Sequence, residues 1–217
     1  MADADERTAP GEGRTRWGRA GIMLVSAAAA GGVLMALTAQ GVLAAQFAIS
    51  GIPFTVTATR LTGTGFEQFG NLDTMAANSP NATNTQGQPP NQGNTGGAVV
   101  VVTSAIASAT LTNLCQSINL GGTNLKLTAG TGKTPVSANT LVVDSDLLTG
   151  DATFHNIVIG QDASTVTQVP GVTGPLGDFA QAADSVEIDN LRQDNFATTA
   201  ATFTLPGLNL GFSDTGC

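Results

Sequence analysis

The chain holds one histidine, His155, so any Ser-His-Asp hydrolase chemistry must pass through it. It stands in Phe154-His155-Asn156, an alternating run that reads as a surface-facing strand position, and no Gly-x-Ser-x-Gly elbow occurs anywhere. Asp144, Asp146 and Asp151 form the densest acidic cluster. Carboxylate oxygens suit calcium, but their spacing is not that of the calcium-binding loop. Glu187 and Asp189 point to one face of a strand and read as a solvated face. Ala129-Gly130-Thr131-Gly132-Lys133-Thr134 approaches the end of a phosphate-binding loop. That motif needs a glycine where Leu127 stands, so the stretch reads as a hairpin turn. One histidine and two cysteines cannot furnish a zinc site. The sequence therefore offers no catalytic, cofactor or metal site.

The two cysteines, Cys115 and the C-terminal Cys217, are expected to form one disulfide, with two free thiols or an intermolecular bridge as the alternatives. Such a bond closes a loop of about 100 residues, worth up to about 4.7 kcal/mol on the chain-entropy model.

The elements that must carry these residues read as strands. Phe47-Ala48-Ile49-Ser50 alternates, Gly51 and Pro53 interrupt, and Phe54-Thr55-Val56-Thr57-Ala58 alternates again before a turn-rich close at residues 61–66. Further strands are expected over 98–109, 125–129, 140–143, 152–159, 185–189, 202–205 and 208–212. Asp178-Phe179-Ala180-Gln181-Ala182-Ala183 is the only helical candidate. Residues 74–97, rich in Asn, Gln, Thr, Gly and Pro, cannot bury a core and read as a disordered polar insert.

Residues 1–19 form a polar tail ending in Arg14, Arg16 and Arg19, and no charge then falls before Arg60. Residues 20–45 are small and apolar, long enough for a core of about 30 Å. They read as a cleaved signal peptide or as a transmembrane helix that anchors the protein. Both readings leave the arginines inside and place residues 46–217, one β domain, outside the membrane. That domain carries Arg60, Lys126, Lys133 and Arg192 against twelve carboxylates. So acidic a surface argues against nucleic acid, whose phosphates need cations, and against docking on anionic headgroups through a basic patch. Low aromatic content (5%) and many Gly, Thr and Val residues favour short strands and tight turns.

Several stretches carry a family likeness: Arg16-Trp17-Gly18-Arg19 and Phe47-Ala48-Ile49-Ser50-Gly51 flank the apolar run. Leu111-Thr112-Asn113-Leu114-Cys115-Gln116, Gly150-Asp151-Ala152-Thr153-Phe154 and Leu205-Pro206-Gly207-Leu208 follow. With these the chain resembles an actinobacterial family of exported or membrane-anchored proteins of unknown function, often encoded beside a small multi-pass membrane protein. The resemblance runs from Arg14 to the C-terminus, and the insert at 74–97 departs from it. It implies a possible multi-pass membrane partner and supplies no functional residues. Some members bear the label cholesterol esterase, which a chain with one histidine and no nucleophile elbow does not support.

The expectation is an all-β domain, an antiparallel β-sandwich or an extended curved sheet, behind one N-terminal hydrophobic helix. Its expected role is that of a non-enzymatic extracytoplasmic cell-envelope protein, structural or partnered with a membrane protein. A lipid-binding or other apolar-ligand-binding protein is the alternative, and an esterase a remote one.

Overall fold

The computed structural model describes residues 47–82 and 97–217; the expected tail, hydrophobic helix and most of the polar insert lie outside them. The described chain is all-β. Its strands are β1 (Phe54–Thr74), β2 (Ala98–Thr112), β3 (Leu114–Asn119), β4 (Asn124–Ala129), β5 (Val136–His155), β6 (Val158–Asp162), β7 (Phe179–Thr199), β8 (Thr202–Thr204) and β9 (Asn209–Ser213), with one 3-10 turn at Ala163–Thr165. All belong to a single sheet with antiparallel ladders, the curved form of the two expected.

Four long strands close that sheet on itself. β1 pairs with β2, β2 with β5, β5 with β7, and β7 returns to β1 from Phe54↔Asn195 to Phe69↔Ala180. Closure requires coiling, and the backbone shows it. Ile49 donates its N–H to Thr74 O (3.0 Å) and bridges Met75, although β1 starts only five residues after Ile49. At about 3.3 Å per residue β1 has a contour of some 65 Å, whereas five residues reach about 18 Å at most. β1 therefore winds back to its own beginning.

Coiling at constant register means that the buried face must change parity along a strand. On β1 the inward residues pass from Val56 and Ala58 to Leu61 and Gly63; on β7 they pass from Leu191 back to Ile188 and Val186. The switch falls at Thr59–Arg60 opposite Asn190, which takes φ 55°. A second lies at Gly65 (φ 65°), and a third on β5 at Thr140 (φ 47°). Left-handed residues inside strands are the ordinary device for such local coiling. They explain why residues 61–66, read as a turn from their Thr and Gly, continue β1 instead. Gly63 is also obligatory, since a Cβ there would meet Ile106 Cγ2 at 2.5 Å.

The ring's interior is the main core: Val56, Leu61, Phe66, Ile106, Leu111, Leu114, Leu141, Val186, Ile188 and Leu191, with the Phe66 and Phe154 rings in tilted contact, 5.2 Å between centroids. A second core lies on the outer face, where the segment after β6 lays Ala163, Val166, Val169 and Val172 over Phe69, Ala105, Ala180 and Ala182. Of the alanines read as helical, Ala183 belongs to the main core, while Ala180 and Ala182 are part of this floor. Their small side chains admit the covering loop, and ladder pairing with β1 and β6 overrides their helix propensity. Phe47–Ser50 makes only the single bridge at Ile49 and no strand. Gly130 to Thr134 is not a hairpin. It carries the chain from β4 to β5, which are not neighbours, and Gly130 (φ 65°) donates to Pro206 O at 2.8 Å. The start of the insert is anchored too: Met75 and Ala82 pack with Ile49 and Ala197.

Outside the ring, β3, β4 and β9 form a wing grafted on the first residues of β1. One face of the wing is strapped by the C-terminal tail. Cys217 forms the disulfide with Cys115 (Cα–Cα 5.8 Å, 102 residues apart) and donates its N–H to Ser117 Oγ (2.9 Å), while Lys126 Nζ reaches Gly216 O (3.3 Å). We expect Cys217→Ser to cost about 2–4 kcal/mol in unfolding free energy, measured by urea denaturation. Reductant should lower the wild type to the variant's midpoint and leave the variant unmoved.

Candidate functional site

The wing's other face continues the inner face of the ring. Across the ladders one row runs Gln193–Val56–Gln116–Leu127–Leu210. The adjacent row begins at Asn195–Phe54 and continues, in the same register, through Ile118–Leu125–Phe212. Both rows are covered at β1 and come into solvent at β9, where Leu210 is 59% and Phe212 75% exposed. At the mouth of the ring the rows meet a groove of about 480 Å³ lined by Phe47, Ile49, Phe54, Gln116, Phe196 and Phe203. Beneath it the interior leaves only about 40 Å³ among Val56, Leu61, Ile106, Leu141 and Leu191, room for a water or two. Asn195 Oδ1 and Thr198 Oγ1, both buried, have no partner within the protein at that boundary.

Next to this mouth is a pocket of about 420 Å³ with Phe47, Ile49, Phe69 and Val172 as walls and Asp73 and Asp144 in its lining. The two acids belong to β1 and β5 and flank β2. Asn71 Nδ2 donates to Thr103 Oγ1 (3.3 Å), and that hydroxyl donates to Asp144 Oδ1 (2.5 Å). Asp73 Oδ2 is buried without a partner. Burial first, and then the charge of Asp144, pushes the Asp73 carboxyl up to about 6. Burial also raises Asp144, against the pull of the Thr103 hydroxyl.

The most deeply placed acid is Glu67, between Phe66 and Phe69 on β1 and fully buried. Its Oε2 accepts the Val169 amide at 3.0 Å, tying the covering loop to the sheet, and its Oε1 has no partner. Burial pushes its carboxyl up to about 7, although the Val169 and Gln168 amides draw it down. By contrast Asp162, half-buried at the start of the 3-10 turn, is held below the usual range by the Ser164 amide and hydroxyl and the Gly177 amide.

The residues singled out from sequence do not converge. His155 ends β5 in the open; its cross-strand partner is Ser185, with no hydrogen bond between the two side chains. Asp146 and Asp151 are exposed and apart from the half-buried Asp144, and Asp151 accepts from Asn190 Nδ2 (2.9 Å). Glu187 and Asp189 do share an outer face, where Arg60 bridges both. Lys133 is exposed in the β4–β5 connection. Among the described residues no three His, Cys, Asp or Glu side chains gather as a metal site would require. Glu67 and Asp73 escaped notice because each is a single acid in a Thr- and Gly-rich strand. The signal for Glu67 was its place in Phe66-Glu67-Gln68-Phe69, a charge between two aromatics.

What these features define is an all-β domain on one closed, coiled sheet, strapped by a disulfide and extended by a wing whose inner face is apolar. The chain belongs to a family of unknown function, DUF6230, whose pattern it matches over residues 50–217. No curated protein and no solved structure matches it.

Glu67, Asp73 and Asp144 all titrate above their ordinary values, so the folded chain binds protons more tightly than the unfolded one. Their contribution to stability is present in acid and is lost as pH rises through about 7. For Glu67, raised from 4.5 to about 7, the effect is on the order of 3 kcal/mol at about 1.4 kcal/mol per unit. We expect the melting temperature to fall between about pH 5 and pH 8, and Glu67→Gln to remove most of that slope and stabilise the domain at the upper end. An unchanged slope in the variant would contradict the assignment.

Proposed function

We propose that this chain is a non-enzymatic protein of the cell envelope, anchored or exported by residues 20–45, with its β domain on the extracytoplasmic side. There it serves as a rigid structural element partnered with a membrane protein. The observation that carries the reading is the filled ring. Four long strands close on an aliphatic core with about 40 Å³ left over, which makes the domain a scaffold and not a container. A long-range disulfide to the chain terminus suits an oxidising compartment. The second reading, an apolar-ligand binder, draws on the groove lined by Phe47, Phe54, Phe196 and Phe203.

Mild detergent extraction of the full chain from its own envelope separates the two. The scaffold reading expects a complex larger than the single chain, with a cross-linkable membrane protein. A single chain carrying one equivalent of lipid would overturn it in favour of the binder. Any ester hydrolysis shown by the preparation should stay within about twofold in His155→Ala; its loss would restore the hydrolase.

A further inference from the structure

Among the exposed large apolar side chains, Phe47, Phe203, Leu208, Leu210 and Phe212 lie around the mouth of the ring and along the wing, while Val158, Ile159, Leu176 and Phe179 lie on and beside β6. Phe47, Phe54 and Phe203 share the groove, and Gln116 in that groove lies one ladder step from Leu127 and two from Leu210. Neighbouring strands are about 4.8 Å apart, so the apolar face is continuous from the groove to the β9 edge over some 10–15 Å. Neither row across it contains a charged residue. Glu187, Asp189 and Asp194 occupy the outer face of β7, and Lys126 with the C-terminal strap occupies the other face of the wing. Asp73 and Asp144 open into the neighbouring pocket, half-buried.

The chain itself arrives at this face. One residue, Gln46, separates Phe47 from the uncharged run 20–45. At no more than about 3.6 Å per residue, Phe47 is tethered within about 8 Å of the end of that run. A single lipid molecule is a poor occupant of so shallow a face over a filled interior, whereas a lipid surface matches it in chemistry and extent.

We infer that the face made by Phe47, Phe203, Leu208, Leu210 and Phe212 rests on the bilayer that the chain enters, its side chains sunk at the boundary between headgroups and acyl chains. This rests on residues 20–45 being an uncleaved membrane anchor. The contact is apolar, so a neutral phosphatidylcholine surface suffices and added salt does not weaken it.

The test uses the full chain reconstituted in phosphatidylcholine vesicles. Trp17→Phe with Phe212→Trp leaves one fluorophore on the wing. Trp17→Phe with Leu208→Trp gives a second, and Trp17→Phe with His155→Trp a control on exposed β5. A nitroxide placed high on the acyl chains should quench the tryptophans at 212 and 208 by about half or more, unchanged by salt, and leave the one at 155 untouched. Protein that withstands an alkaline wash yet shows no quenching at either wing site keeps its anchor and overturns the docking. If Phe212→Ser then also dissolves the envelope complex, the face belongs to a protein partner. Protein stripped by the wash overturns the inference at its premise, since the anchor is then absent. Quenching that persists in detergent micelles through one tightly held labelled lipid would instead assign the face to a bound lipid.

Discussion

Everything in this domain depends on the pairing of β1 with β7 along almost their whole length. That ladder turns an open path of strands into a ring. A ring of only four strands has a small circumference, so its members must coil steeply, and a steeply coiled strand cannot keep one parity of side chains inward. The left-handed residues Gly65, Thr140 and Asn190 are the consequence. Each lets a strand change inward face without breaking its ladder. The same coiling returns Met75 to Ile49 and so forms the floor on which the start of the polar insert packs.

Closure also decides which polar groups end up stranded. A ring saturates its edges with backbone hydrogen bonds, but an apolar patch on its outer face still needs a cover. That cover is the segment after β6, and Glu67 is the hook that holds it. The carboxylate accepts the Val169 amide, which an apolar residue would leave unsatisfied in the interior. The cost is a carboxyl group that prefers its proton near neutrality, with one oxygen unmatched. Asp73 and Asp144 repeat the compromise at the neighbouring pocket. The stability of this fold is thus tied to pH through groups that hold covers and corners.

Much of this was legible in the sequence, and the losses have a common cause. Alternation at Phe54 to Ala58 and at Ser185 to Asp189 marks real strands because each lies where the parity is constant; Ala98 to Ala109 is a strand as well, with a continuous buried run at 103–106 where the face changes. Residues 61–66 and 178–183 were misread where the coil interrupts the alternation or where alanine floors an outer core. A period of two cannot signal a strand that changes face midway. The cysteines were legible because there are only two. Glu67 was not, since burial of a lone acid is a property of the ring and not of its neighbours in sequence. The apolar wing was half-legible: Leu208-Asn209-Leu210-Gly211-Phe212 alternates as a half-buried strand should, yet here its apolar side faces solvent.

That exposed side follows from the topology. β3 and β4 cannot join the ring, because β2 and β7 already occupy both edges of β1 beyond its first residues. They therefore extend the inner face outward, row by row, past the point where opposite strands could cover it. The tail and the disulfide seal the polar side, so the strap rigidifies the wing without hiding its leucines and Phe212. An apolar face that is held stiff, left free of charge and placed beside the incoming chain has the features of a surface kept for contact. Nothing in the ladder registers requires residues 210 and 212 to be apolar.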